Sequence, residues 1–209
     1  TSRIDKYKND FDEDPTEWEH TRDNFQSIAK QYMVAGGVSH RYFFPNDATL
    51  KTTLAATYSG MNATEDAYAA NHTSSPFTFQ KNHNTNLILS SSYNQKFSSR
   101  HTNQTGFTYT RMFYNMRMNL APFETAPLNT VSRGKGQTDL INVYTSSTFG
   151  ITDRLSLNAG LSSQVLTLNN SWTLEPRLGL KWTPAAKVSF AVAYGLHSRM
   201  EKMDVYFVN

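Results

Sequence analysis

Two sets of side chains in this chain are spaced so that they could act together. In Ser171–Trp182, Glu175, Arg177 and Lys181 fall on alternate positions, as do His197 and Arg199 in the stretch that follows. Side chains two apart on a strand share a face. Across two neighbouring strands these five could hold a second domain or guide an anionic ligand. In the second set, Phe107, Tyr109, Arg111, Phe113, Asn115 and Arg117 alternate in the same way. Directed inward, Tyr109, Arg111 and Arg117 could stack on a sugar or pair with a carboxylate. Their opposite face, Met112, Tyr114, Met116, Met118 and Leu120, reads as the better outward, apolar side. Each set also has a plainer reading, since a strand face that meets water is lined with charge in any case and inward aromatics pack against whatever lies beside them.

Other chemistry finds less support. The acidic run Asp10, Asp12, Glu13, Asp14, Glu17 and Glu19 could attract a hard cation, but it lacks the ligand order and closing Glu of a calcium loop. Glu17 and His20 have no further ligand at helical spacing, which argues against zinc. There is no nucleophile elbow and no Cys–His arrangement, and Arg133-Gly134-Lys135-Gly136 lacks the strand and helix that would flank a phosphate loop. The expectation is a protein that is not an enzyme and has no metal or cofactor.

The elements that would position these residues are strands. Only 38% of residues are hydrophobic while 13% are aromatic, and Ser, Thr and Asn fill much of the rest. That mixture suits strands with one apolar and one polar face. Cysteine is absent, which argues against a disulfide scaffold. Eight of the 17 acidic residues lie in residues 1–30, against five basic ones, so the remainder is mildly basic. No basic cluster is dense enough for nucleic acid. The opening Thr1–Lys6 lacks the apolar core of a signal peptide, and the longest apolar run, Val188–Leu196, is too short for a membrane helix. With a barrel pattern, this reads as a mature protein or an internal piece.

Residues 1–30 read as an acidic extracellular loop. Asp14-Pro15-Thr16-Glu17 has the grammar of a helix start, and Trp18, Phe25, Ile28 and Ala29 suggest a short amphipathic helix. Over 31–209 the period becomes two, giving eight strands near 31–44, 48–59, 79–97, 103–120, 138–151, 155–168, 171–183 and 187–200. Tight turns at Asn46-Asp47, 99–102, Asp153-Arg154 and 184–186 alternate with links at 60–78, 121–137 and Asn169-Asn170, the first two of them long. Short turns at one end and long loops at the other characterise bacterial outer-membrane barrels. Trp172 and Trp182 share a face about 33 Å apart along the strand, or roughly 25 Å after a tilt of about 40°, which is close to the height of an apolar membrane band. Trp172, Trp182 and Tyr194 are the expected girdle residues. Pro176, mid-strand on the apolar face, predicts a bulge.

Ser171-Trp172-Thr173-Leu174-Glu175-Pro176-Arg177-Leu178-Gly179-Leu180-Lys181-Trp182 and Val188–Ser198 resemble the barrel of Bacteroidetes-type TonB-dependent outer-membrane receptors, as do Thr152–Gly160 and Ala35–His40. The likeness spans most of residues 18–207. It implies an all-β, antiparallel, up-and-down transmembrane β-barrel, of which this chain supplies about eight of 22 strands. It also implies import of a nutrient such as a siderophore, glycan or peptide across the bacterial outer membrane. The implied partners are outer-membrane lipid and lipopolysaccharide, a plug domain and TonB outside this chain, and a surface lipoprotein; nucleic acid is not among them. Two alternatives stay open at this stage. One is a complete eight-stranded barrel with a structural or adhesive role. The other is a soluble sandwich or lipocalin-like binder, because alternation alone does not say whether the apolar face meets lipid or a core.

Overall fold

The computed structural model describes residues 2–20, 22–201 and 203–207. They form nine antiparallel strands in one sheet, each paired with its sequence neighbours: β1 (Ser2–Asn9), β2 (Phe25–Phe43), β3 (Thr49–Tyr68), β4 (Ser74–Ser98), β5 (His101–Leu120), β6 (Asn129–Thr152), β7 (Leu155–Leu166), β8 (Ser171–Ala185) and β9 (Val188–Gly195). β1 and β9 do not pair with each other, so the sheet is open. Among the described residues no α-helix forms, and a short 3-10 helix spans Met203–Phe207. A sandwich would need a second sheet packed on the first; here there is one.

Connections alternate between the two ends as expected from sequence, but the long links expected at 60–78 and 121–137 shrink to 69–73 and 121–128, because β3, β4 and β6 extend into them. At one end the strands join through residues 44–48, 99–100, 153–154 and 186–187; at the other, through 10–24, 69–73, 121–128 and 167–170. Asp47, His72 and Asn170 take positive φ in these connections, a conformation that Asp and Asn tolerate best among side-chain-bearing residues. Arg100 bonds Asp153 at 3.1 Å and so ties two neighbouring short turns together.

Three expectations need correction. Ser2–Asn9 is a strand, not part of a loop, and residues 25–30 belong to β2. No helix follows Asp14. Its carboxylate accepts from the Thr16 amide and hydroxyl and its carbonyl from the Glu17 amide. The Glu19 and His20 amides go to the Asp23 carboxylate rather than back into a helical turn. Pro176 makes no bulge in the β7–β8 ladder, where it pairs with Leu161 without a register shift. Its carbonyl accepts from Leu196 on the β9 side, so its missing N–H falls on that side too. There the paired register ends at Arg177↔Gly195, and β9 stops short of residue 200.

Register joins the strands into two chemically distinct faces, because directly paired residues share a side. One face carries Trp172, Leu174, Leu178, Leu180 and Trp182 on β8, and Leu155, Leu157, Leu161 and Val165 on β7. It continues through Ile141, Val143 and Phe149 on β6 and Phe107, Tyr109 and Phe113 on β5. Beyond these lie Leu87, Leu89 and Tyr93 on β4, Leu50, Leu54 and Tyr58 on β3, and Tyr32, Val34, Val38 and Tyr42 on β2. Among the described residues no layer covers it: Trp172 is 69% exposed, Trp182 49% and Tyr194 67%. The other face is rich in Ser, Thr, Asn, Gln and Gly. Cross-strand bonds such as Asn86 to Thr57, Asn142 to Ser162 and Thr148 to Asn158 knit it together.

The apolar band drifts diagonally. The row through Trp172 runs by Val165, Ile141, Tyr109, Leu89 and Leu54 to Val38, six residues from Tyr32. The row through Tyr42 runs back by Leu50, Tyr93, Thr105, Thr145 and Leu161 to Pro176, six residues from Trp182. Tyr32 and Tyr42 therefore bound the band on β2 at the same ten-residue spacing as Trp172 and Trp182 on β8. A polar island at Asn103, Thr105, Thr145 and Ser147 interrupts the band. The Asn103 amide nitrogen donates to the Thr145 and Ser147 hydroxyls, and the Thr105 and Thr145 hydroxyls lie 2.8 Å apart. Hydrogen-bonding each other, these groups lose less on leaving water.

Candidate functional site: the polar face

The polar face holds a hollow of ≈ 870 Å³ over β6–β9. Small residues make its floor, with Gly160 on β7, Gly179 on β8 and Ala193 and Gly195 on β9. Asn142, Tyr144, Asn158, Arg177 and His197 stand around it. Alternation produces this directly: strands that spend large side chains on the apolar face place Gly, Ala, Ser and Asn on the other. Gly106 shows how tight that face is elsewhere. It pairs with Tyr144, and a Cβ added there would lie 2.6 Å from the Ser91 carbonyl and 2.7 Å from the Tyr144 hydroxyl.

Beside the hollow sits a charged node. Glu175 is buried, at 7% exposure. It accepts from the Arg177 guanidinium at 2.8 Å, from the Ser198 amide at 2.9 Å and from the Ser198 hydroxyl. Burying a carboxylate is costly unless it is paired and hydrogen-bonded, and these donors supply both. They also pin the segment after β9 to β8. That segment crosses the polar face to reach β5 and β6, where the Phe207 ring lies 4.9 Å from the Tyr114 ring and closely faces Gly134. With Arg177, His197, amides and hydroxyls around it, the hollow offers donors suited to a polar or anionic group. Among the described residues no trio of His, Cys, Asp or Glu is placed to hold a metal.

Only some of the sequence-derived candidates come together. Glu175, Arg177 and Lys181 lie on one face of β8, as expected from their spacing. His197 and Arg199 lie beyond the end of β9, though His197 still lines the hollow. Tyr109, Arg111 and Arg117 require a correction. Register puts them on the face of Trp172 and Trp182, opposite Glu175. Tyr109 donates to Asp139 at 2.7 Å, Arg111 lies over the Phe113 ring and Arg117 over the Phe79 ring. Conversely, Met112, Tyr114 and Met116 lie on the polar side and are buried. Alternation tells that the two sides of β5 differ; only pairing tells which side continues the neighbours' apolar face. Of the girdle candidates, Trp172 and Trp182 mark the band's limits on β8, whereas Tyr194 pairs with Leu178 inside it. Sequence reasoning missed Ser198 and Phe207, which act through contacts with strands far away in the chain.

The class defined so far is an all-β, up-and-down, single open sheet with one apolar and one polar face. No family model and no curated protein matches the chain.

Proposed function

We propose that the chain forms part of the wall of a transmembrane β-barrel in the bacterial outer membrane, within a receptor that imports a bound nutrient. The observation that carries the membrane reading is the uncovered apolar band. A soluble monomer rarely exposes a contiguous apolar patch of more than a few hundred Å², whereas lipid requires one. The band's geometry supports the same reading. Its six-residue drift is about 20 Å along the strands, and six strand steps cover about 29 Å. The ratio corresponds to a tilt of about 35°, within the range of membrane barrels. Ten residues at that tilt give an apolar height of about 27 Å, close to the roughly 25 Å such barrels present to lipid.

With the apolar face toward lipid, the polar face lines the lumen, and the hollow beside Arg177 is where a plug domain or ligand meets the wall. The receptor part of the proposal, with TonB as the energy source, rests on the resemblance of the strings Ser171–Trp182 and Val188–Ser198. The test is the outer-membrane fraction of cells making the complete gene product. The expected band is extractable only with detergent and migrates differently before and after boiling. A product that stays soluble without detergent and runs identically in both lanes overturns the proposal.

A further inference from the structure

Above the apolar band, the same face carries one cross-strand row of cations. Lys6 on β1 pairs with Lys30 on β2, Lys30 with Asn62, Asn62 with Lys81 on β4, Lys81 with Arg117 on β5, and Arg117 with Arg133 on β6. All five cations are exposed. None is in an ion pair among the described residues; the pairs found involve Arg3, Lys8, Arg22, Arg100 and Arg177. The next rows on either side hold no acid: Ile4, Tyr32, Gly60, His83, Asn115 and Lys135 on one side, and Lys8, Ile28, Thr64, Phe79 and Asn119 on the other. Lys6–Lys30, Lys81–Arg117 and Arg117–Arg133 are like charges directly opposite, an arrangement that destabilises a sheet.

We infer that this row binds the phosphate groups of phosphorylated membrane lipids, an inference that rests on the membrane reading above. The position of the row supports it. On β2, Lys30 stands one row above Tyr32, which bounds the band, or about 5 Å along the barrel axis at the tilt derived above. Headgroups add roughly 5–8 Å to each side of the hydrocarbon core, so Lys6 and Lys30 sit at headgroup level. Because the band drifts, Arg117 and Arg133 stand about 15 Å above its border, and their long stems can reach back toward it. Tyr32, Tyr58 and His83 cluster just below, with Tyr58 and His83 rings stacked at 6.4 Å, supplying the amphipathic rings that favour that level.

The test inserts the complete gene product into phosphatidylcholine vesicles with and without phosphatidic acid and counts bound phosphatidic acid by native mass spectrometry. The variant combines Lys30→Gln, Lys81→Gln, Arg117→Gln and Arg133→Gln, and Lys51→Gln on the polar face is the control. Wild type and the Lys51 variant should bind alike, and the combined variant at least about tenfold more weakly. In vesicles of phosphatidylcholine alone the combined variant should melt no lower than wild type, since repulsion has been removed. If it melts lower, the single variants Lys30→Gln and Arg117→Gln carry the comparison. Insertion with equal binding by all proteins overturns the site and leaves the membrane reading standing. Failure to enter either vesicle overturns both. Displacement of the lipid by inorganic phosphate at equal concentration would mean a small-anion site and would overturn the lipid assignment.

Discussion

Replacing Leu178 by Arg should destabilise the inserted chain far more than replacing its neighbour Gly179 by Arg. The two positions are adjacent in sequence but face opposite sides of β8. With Trp172 and Trp182 at the margins, the midpoint of the band falls at residue 177, so Leu178 lies about 3 Å or less from the centre along the axis. An Arg on the lipid side of a barrel costs about 2–4 kcal/mol at the midplane and about 0–1 near the interfaces. Leu178→Arg should therefore lower the folding equilibrium constant by roughly 30- to 900-fold, and Trp172→Arg by much less. A side chain at Gly179 fits, since an added Cβ would meet nothing closer than the Asn158 Cβ at 3.8 Å. Its guanidinium would then reach the hollow, for a cost of about 0.5 kcal/mol or less. The assay is reversible denaturant unfolding of the complete gene product in phospholipid vesicles, followed by tryptophan fluorescence. Equal costs at Leu178 and Gly179, or a larger cost at Trp172 than at Leu178, would refute the assignment of the faces.

Three further outcomes follow from particular contacts. Gly106→Ile should cost about 1–3 kcal/mol by forcing the Tyr144 ring aside. Tyr144→Ala should recover part of that in a double-mutant cycle but not all, because the Ser91 carbonyl still lies 2.6 Å from the new Cβ; full additivity would refute the clash. Glu175→Ala should speed amide exchange at Ser198 by about 10- to 150-fold, since the Ser198 amide then loses its hydrogen bond to a charged acceptor, which contributes about 1.5–3 kcal/mol; unchanged exchange would show that the segment is held elsewhere. Asp14 lies in the connection between β1 and β2, and the Thr16 hydroxyl and amide hold its carboxyl below the usual carboxylate range. A depressed folded value means that its contribution is complete above the unfolded value near 3.9 and is lost as pH falls through the folded one. Thr16 amide protection should therefore be flat from about pH 7 to 5 and fade below about pH 4, and Asp14→Ala should remove the dependence.

Much of the fold could be read locally because strand chemistry is local. On β7 and β8, strict alternation marks the strands and Trp172 and Trp182 their limits. β1 was not legible. Lys6 and Lys8 share a side with Ile4 while Arg3 and Asp5 share a side with Tyr7, so neither side is apolar. The outer parts of β3, β4 and β6 were hidden for a related reason. Asn62-Ala63-Thr64-Glu65, Ser75-Pro76-Phe77-Thr78 and Arg133-Gly134-Lys135-Gly136 read as loop, yet each pairs with a neighbouring strand. Above the apolar band neither side needs to be apolar, and periodicity loses its contrast. The site was legible only in part. Glu175 and Arg177 follow from spacing along one strand, but spacing alone puts Tyr109, Arg111 and Arg117 on the wrong side, because relative facing is a property of pairs of strands. Ser198 and Phe207 depend on where the chain returns after β9, which nothing near them in sequence specifies.

The central claim is that one side of this sheet faces lipid and the other faces water. The chain has no cysteine, so single cysteines can be placed at Val143, Leu178 and Val192 on one side and at Asn142, Gly179 and Ala193 on the other. A spin label at each, in the complete gene product reconstituted in lipid, reports its collision rate with oxygen, which partitions into the membrane, and with a water-soluble nickel chelate. The account predicts high oxygen and low nickel accessibility at the first three positions and the reverse at the second three. Equal nickel accessibility on both sides would contradict it.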